Sequence, residues 1–397
     1  MLFTELAMPE PGSAVAVGMS GGVDSTLTAL LLKERGCRVV GITMSSWNND
    51  LPLASSHDGI RNSCYGPDEA LDQEACRRFC AEYDIEYHVI DVRDAYRREV
   101  LDYFRSEYRA GRTPNPCIRC NPLVKFGALL ENAQNSGIAF DYFCTGHYSR
   151  VVRPSETDGA NTAPACIAKG VDKSKDQSYF LYRITSDILE RVRFPLGGMT
   201  KQAVFALARE RGLVSASRSE SQDFIPSDYL PAVFSDQPPV SGEITDSDGK
   251  VLGTHRGIEN YTIGQRRGLG ISAPRPLYVT AIDAAANRVI VGGEEDLAVS
   301  SIIVSDWVWP GNRVPDKPFR GTVKIRLAAP PVPAFIEPEN GGQDGTSFQS
   351  GSTFRAETKF RITFDTPVKA AAPGQSAVIY EGELIRGGGI ISRAIIA

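Results

Sequence analysis

Short apolar runs and amphipathic stretches alternate through the first half of the chain. Ala14-Val15-Ala16-Val17 reads as a buried strand. Residues 26–35, with Leu27, Leu30 and Leu31 at helical spacing, read as the helix that follows it. Residues 38–43, 87–92 and 139–145 read as further strands, and residues 67–83, 93–109 and 123–135 as helices. Strands and helices in alternation predict a parallel sheet covered on both faces. Ligands of such sheets bind at the carboxyl ends of the strands. Three segments fall there: residues 18–25, the turn Met44-Ser45-Ser46-Trp47, and Cys144-Thr145-Gly146-His147-Tyr148.

A polar insertion, residues 154–163, follows, and helical spacing returns over 202–211. Past Ser219 proline and glycine rise, and β-branched stretches dominate: 288–291, 301–307, 321–326, 354–364 and 376–380 read as strands. The expected architecture is therefore α/β. A parallel-sheet domain over 1–215 precedes a small mixed or β middle domain over 216–298 and a C-terminal β-barrel over 299–397. Residues 338–351 read as a Gly/Ser-rich loop between barrel strands.

Composition narrows the function classes. At 397 residues the chain is too long for one ordinary core. No run is long and apolar enough to span a membrane, and the first eleven residues lack the basic start of a secretory signal, so a cytoplasmic enzyme without a membrane partner is expected. The net charge of −5 does not advertise nucleic-acid binding, although a local basic face would suffice. Eight cysteines, all in the first half, do not make a disulfide framework in such a protein. Cys37, Cys76 and Cys80 read as packing residues and Cys166 as incidental; Cys64, Cys117, Cys120 and Cys144 are left as chemical candidates.

Residues 18–25, Gly-Met-Ser-Gly-Gly-Val-Asp-Ser, join the first strand to its helix. Backbone N–H groups in a small-residue turn at a helix N-terminus can surround an oxyanion. Ser20 and Ser25 add hydroxyls, and Gly21 and Gly22 allow close approach. Asp24 would repel phosphate, and makes sense if it holds Mg²⁺ or caps the helix. No Gly-Lys-Ser/Thr ends the loop, so it is not a Walker A motif. It resembles the PP-loop of ATP pyrophosphatases, which split ATP between the α and β phosphates.

The second chemical feature is Thr113-Pro114-Asn115-Pro116-Cys117-Ile118-Arg119-Cys120-Asn121. Its prolines fix an extended approach. A Cys-x-x-Cys beside Arg112, Arg119 and Lys125, before a helix, is expected to have a lowered thiol pKa. A redox pair, half a metal site and a nucleophile with a helper are all open. A Cys/His zinc site is improbable, since no second Cys-x-x-Cys exists and the chain has four histidines.

In order along the chain, the PP-loop, Thr-Pro-Asn-Pro-x-x-x-Cys-Asn, Thr-Gly-His-Tyr, residues 170–180 (Gly-Val-Asp-Lys-Ser-Lys-Asp-Gln-Ser-Tyr-Phe), residues 261–270 (Tyr-Thr-Ile-Gly-Gln-Arg-Arg-Gly-Leu-Gly) and Pro373-Gly374-Gln375-Ser376 resemble the bacterial tRNA-specific 2-thiouridylase family. The resemblance implies a PP-loop (adenine nucleotide alpha hydrolase-like) domain. It also implies adenylation of O2 of the wobble uridine, followed by sulfur delivery to C2 from a cysteine persulfide, with AMP and pyrophosphate released. It places Gly18, Met19, Ser20, Gly21, Gly22, Val23, Asp24 and Ser25 on ATP phosphates, Met44 on adenine and Gly146 on the nucleotide. Cys120 takes the nucleophile position. Asn115, Pro116 and position 117 would line the target base, and His147, Lys175, Asp176, Gln177, Arg326 and Gln375 would meet tRNA. ATP, Mg²⁺, tRNA and a persulfide donor or relay protein are the implied cofactors and partners.

Two departures follow. Cys117 stands where the family usually has aspartate. The segment that usually carries the second catalytic cysteine reads Glu220-Ser221-Gln222-Asp223-Phe224-Ile225-Pro226, without one. Either Cys117 acts as the partner of Cys120, or the pair ligates an iron–sulfur cluster, a [4Fe-4S] centre with Cys144 or Cys64 as third thiolate. A catalytically impaired tRNA-binding homologue is a further alternative, as is a PP-loop amidotransferase or ligase, which would need neither Cys-x-x-Cys nor a C-terminal β-domain.

Overall fold

The computed structural model describes residues 2–51, 53, 64–155, 163–213, 224–225, 230–339 and 358–397. Most of the segment 220–226, and parts of the stretches 154–163, 338–351 and 354–364, lie outside the described residues. The chain divides into two compact units: residues 1–102, 116–235 and 383–385, and residues 103–115, 236–382 and 386–397.

In the first unit, β1 (Phe3–Glu5) pairs antiparallel with β6 (Ser149–Pro154), which pairs with β7 (Cys166–Lys169). The main sheet is parallel. Its strands are β2 (Ala14–Gly18), β3 (Arg38–Ser45), β4 (Glu86–Asp91), β5 (Tyr142–Cys144) and β8 (Val192–Arg193), in the order β4-β3-β2-β5-β8. The order reverses between β2 and β5. That reversal opens the crevice where doubly wound sheets bind ligands. Val15, Ala16 and Val17 have no solvent exposure, as a central strand covered on both faces requires.

Helix α1 (Val23–Glu34) follows β2, and α2 (Glu69–Glu82) precedes β4. Cys37, Cys76, Cys80 and Cys144 pack in one buried cluster with Val15, Val17 and Leu32. Three of these four were expected as packing residues. Cys166 is a buried strand residue. Residues 93–102 form an α turn that widens into a π-helix over Arg97–Asp102, and a second π-helix spans Asn121–Ala128, directly after Cys120. Neither widening leaves a mark on the apolar spacing, so sequence periodicity read both as plain helix. π-Helical turns are rare and recur at functional sites.

The second unit holds a helix, Tyr103–Arg109, and two β structures. Strands β9 (Gly242–Thr245), β10 (Val251–His255), β11 (Tyr278–Asp283) and β12 (Arg288–Gly292) form a sheet in the order β10-β9-β12-β11 around Ile244, Val279, Val289 and Val291. Six antiparallel strands close the barrel: β13 (Ala298–Val308), β14 (Phe319–Lys324), β15 (Val332–Pro338), β16 (Phe360–Lys369), β17 (Ser376–Glu381) and β18 (Leu384–Ile396). Closure leaves no barrel edge unpaired. Ile302, Ile336, Phe360, Ile362 and Ile379 fill the interior, with Trp307 stacked on Trp309 at 4.7 Å. The strand expected over 354–364 is seen from Phe360 to Lys369. Strands β15 and β18 had no sequence counterpart, because proline interrupts one and three consecutive glycines the other.

Candidate functional site

The loop after β2 is held by its own small residues. Gly21 takes φ +74°, the left-handed region that glycine enters at no steric cost. Ser25 donates its hydroxyl to the Gly22 carbonyl at 3.0 Å and accepts the Ser20 N–H at 3.2 Å. Ser20 is exposed at the tip. Met19 is buried, and its backbone is tied to β3: its N–H donates to the Ile42 carbonyl at 2.8 Å and its carbonyl accepts the Thr43 hydroxyl at 3.0 Å. Gly22 caps α1 without a side-chain bond, and Val23 begins the helix.

Asp24 neither caps the helix nor stands open for a metal, as the sequence reading had expected. Lys201 donates to both of its carboxylate oxygens, at 2.9 and 2.8 Å, and the Tyr148 hydroxyl donates to one of them at 2.7 Å. A buried ammonium needs such a partner.

Gly146, in the loop after β5, presses on this helix start. A Cβ there would lie 2.7 Å from the Asp24 backbone and side chain, so only glycine fits. Met44 sits half-buried at the carboxyl end of β3. The turn after it is fixed by Glu69, which accepts the Ser46 N–H at 2.8 Å, the Ser46 hydroxyl at 2.7 Å and the Trp47 N–H at 3.0 Å. Glu69 is buried, and its place in an acidic, polar helix start gave no sequence signal.

Cys117 and Cys120 share the short helix Pro116–Cys120. Their expected low pKa is not what the surroundings produce. Burial pushes the Cys117 thiol up to about 11 and the Cys120 thiol to about 12, and the Lys125 ammonium offsets only part of this. The arginines that were to help are spent elsewhere: Arg119 pairs with Glu99 at 3.1 Å, and Arg112 pairs with Glu107. Cys64 is the other thiol whose charge would act on both. It is exposed, and its sulfur lies 3.9 Å from the Phe224 carbonyl. Beside the three thiols sits Tyr96, fully buried and stacked on Tyr65 at 4.9 Å. Cys144, the alternative third thiolate, is instead in the sheet core, acted on by Cys37 and Arg193.

Among the described residues no three His, Cys, Asp or Glu side chains are grouped to hold a metal ion. Cys64, Cys117 and Cys120 are three thiols in one region, but as placed they are not grouped to hold the ion set of an iron–sulfur cluster.

His147 accepts or donates at Nδ1 to the Thr145 hydroxyl at 2.6 Å. Burial and the Lys125 charge depress its pKa to about 3, so the ring is neutral at pH 7. Lys125 thus acts on the cysteine pair and on His147 alike. In the loop 170–178, Asp176 accepts the Gly170 and Ser178 N–H groups, each at 3.1 Å, and Gln177 accepts the Tyr148 N–H at 2.8 Å. Lys175 is exposed.

In the second unit, Gln375 donates to the Thr113 carbonyl at 2.8 Å, and Arg326 is exposed after β14. Asn115 is half-buried at the end of the same loop, and Pro116 starts the cysteine helix of the first unit.

Family models match the chain in succession: the tRNA methyl transferase HUP domain over residues 13–226, the tRNA methyl transferase PRC-barrel domain over 228–293, and the Aminomethyltransferase beta-barrel domain over 346–391. The tRNA-specific 2-thiouridylase MnmA of Roseiflexus sp. (strain RS-1) is 41% identical, covering 96% of this chain and 99% of the relative. That of Endomicrobium trichonymphae is 39% identical, with 95% and 98% covered, and that of Magnetococcus marinus 41% identical, also with 95% and 98% covered. The chain belongs to the MnmA family. The parallel sheet of the first unit is the HUP domain of this family, and the six-stranded barrel is its C-terminal β domain. Against the MnmA resemblance, sequence reasoning missed Lys201, Tyr148 as a partner of Asp24, and Glu69. Among the described residues no helix is long and apolar enough to cross a membrane.

Proposed function

We propose that the protein is an ATP-dependent tRNA-uridine 2-sulfurtransferase that works in the cytoplasm. The observation that carries this reading is the placement of residues 18–25 and Gly146 on the two sides of the sheet's reversal point. Relatives named as tRNA-specific 2-thiouridylases, about 40% identical over nearly the whole chain, supply the substrate class.

The loop amides and the hydroxyls of Ser20 and Ser25 receive the phosphates of ATP at the helix start. Met44 borders the adenine and Gly146 gives the nucleotide close access. Both oxygens of Asp24, the loop's one carboxylate, are bonded to Lys201, so Mg²⁺ would come with ATP on the phosphates rather than be held by Asp24. The wobble uridine O2 attacks the α-phosphorus and pyrophosphate leaves. The uridine oxygen, a poor leaving group, becomes part of AMP.

Cys120 carries a persulfide supplied by a donor or relay protein. Its outer sulfur attacks C2, and AMP departs with the former O2. The Cys117 thiolate then attacks the Cys120 sulfur, which frees the 2-thiouridine sulfur and leaves a Cys117–Cys120 disulfide. A dithiol reductant reopens it. A buried pair held as neutral thiols favours stability between turnovers, and Lys125 is the cation that offsets the charge when one ionises. Asn115 and Pro116 line the base. His147, Lys175, Asp176, Gln177, Arg326 and Gln375 meet tRNA.

The test incubates the purified protein with unmodified tRNA, ATP, Mg²⁺ and a persulfide donor. Expected products are 2-thiouridine by nucleoside mass spectrometry, with AMP and pyrophosphate in equal amounts. ADP and phosphate, or tRNA binding with no thiolation, would overturn the reading.

A further inference from the structure

The acidic residue in the phosphate loop poses an electrostatic problem. Asp24 lies in the first turn of α1, among the groups that would receive a polyanion. A carboxylate there gains from the helix N-terminus, yet it repels phosphate. Lys201 answers it from a distant part of the sequence. It is the first residue of the helix Lys201–Glu210, whose start is capped by Thr200 accepting the Ala203 N–H at 3.2 Å. Its backbone N–H donates to Asp172 at 2.8 Å, which fixes where the side chain leaves the helix. Its ammonium then lies 4.9 Å from the Phe205 ring and 5.3 Å from the Tyr148 ring, and reaches both oxygens of Asp24. The aromatic faces favour a cation at that point. Lys201 is only 7% exposed, so its charge is little screened by solvent.

We propose that Lys201 is a positioning residue for nucleotide binding: it cancels the charge of Asp24 and so lets an acidic loop accept a triphosphate. The inference rests on the ATP reading above and adds a residue to it. The loop's local charge, counted over these two groups, is zero in the native protein. It becomes −1 in K201M, +1 in D24N and zero again in the double variant.

Affinity for Mg·ATP, measured by titration calorimetry without tRNA, is expected to follow that order. D24N binds tightest, wild type and D24N/K201M bind alike, and K201M is weaker than wild type by about tenfold or more. K201R, which keeps a cation against Asp24, stays within about threefold of wild type. A K201M affinity equal to wild type overturns the proposal. So does a double variant as weak as K201M, because Lys201 would then hold phosphate or structure itself, and so does a K201R loss as large as that of K201M. Should K201M not fold, D24N and D24N/K201M leave no buried carboxylate stranded and are compared with each other. The double variant is expected to return to the wild-type value, and equality with D24N overturns the proposal. Wild-type protein that binds no ATP would instead overturn the nucleotide reading itself.

Discussion

The Gln375 side-chain amide donates to the Thr113 carbonyl at 2.8 Å. The same turn also accepts the Thr113 N–H at the Pro373 carbonyl, at 2.8 Å, and Gly374 there takes φ +91°, with room for no Cβ against the Thr113 backbone. The Pro373-Gly374-Gln375 turn therefore clamps the first residue of Thr-Pro-Asn-Pro. Gln375 was expected to meet tRNA. Its amide nitrogen is committed to this loop, which adds a positioning role to that expectation. Gln375→Ala should lower kcat/KM for thiolation by about tenfold, through a misplaced loop, while thermal unfolding shifts little. A variant with unchanged kcat/KM would remove the clamp from the mechanism.

The thiol pair gives a pH test with a defined sign. Both thiols are held neutral by burial, at about 11 for Cys117 and about 12 for Cys120. Alkylation of the pair should therefore be slow at pH 7 and rise about tenfold per pH unit up to at least pH 10, well past the plateau of an ordinary cysteine. A charge on Cys64 raises the Cys117 value, so Cys64→Ser should make Cys117 alkylate faster at a given pH, whereas Cys144→Ser should not. Mass-spectrometric rates for each residue decide this. A plateau near pH 8 would contradict the burial argument.

His147 links the site to acid stability. Its folded pKa, about 3, lies below the ordinary histidine value of 6.5. The unfolded chain therefore binds a proton in this range that the folded chain does not. The contribution is fully present above pH 6.5 and is lost as pH falls toward 3, by up to about 1.4 kcal/mol per unit. Denaturant midpoints measured from pH 7 to pH 4 should fall less steeply in His147→Asn. Equal slopes in the two proteins would mean that the ring is not buried neutral.

The elements most legible in the sequence were those whose local pattern decides them. The strand at Ala14–Gly18, its glycine-rich turn and the helix after it are a local sequence of apolar run, small residues and spaced leucines. The parallel sheet followed from repeats of that unit. What escaped was made by distant partners. Lys201 lies 177 positions from Asp24, and nothing near either residue announces the pair. The low thiol pKa expected at Cys117 and Cys120 failed for the same reason. Proximity to Arg119 in sequence says nothing of Glu99, which takes its charge, or of the burial that outweighs Lys125.

The exposed basic residues sit in different local charge settings, and tRNA binding should depend on them unequally. Arg93 pairs with Asp91, Arg98 with Glu99, and Arg105 and Arg109 face Asp236. An arginine already neutralised by a carboxylate neutralises little phosphate charge and so displaces few of the counterions condensed on the RNA. Lys175 is exposed on the loop 170–178, in which Asp172 and Asp176 turn their carboxylates onto backbone N–H groups. Affinity for tRNA should fall with salt at a log–log slope of about −0.7 to −0.9 per phosphate neutralised. Lys175→Ala should flatten that slope by about one unit, and Arg93→Ala or Arg98→Ala should leave it nearly unchanged. Filter-binding isotherms between low and moderate salt measure all three. A slope that drops equally for Arg93→Ala and Lys175→Ala would show that the ion pairs open on binding, and a wild-type slope near zero would remove tRNA as the ligand.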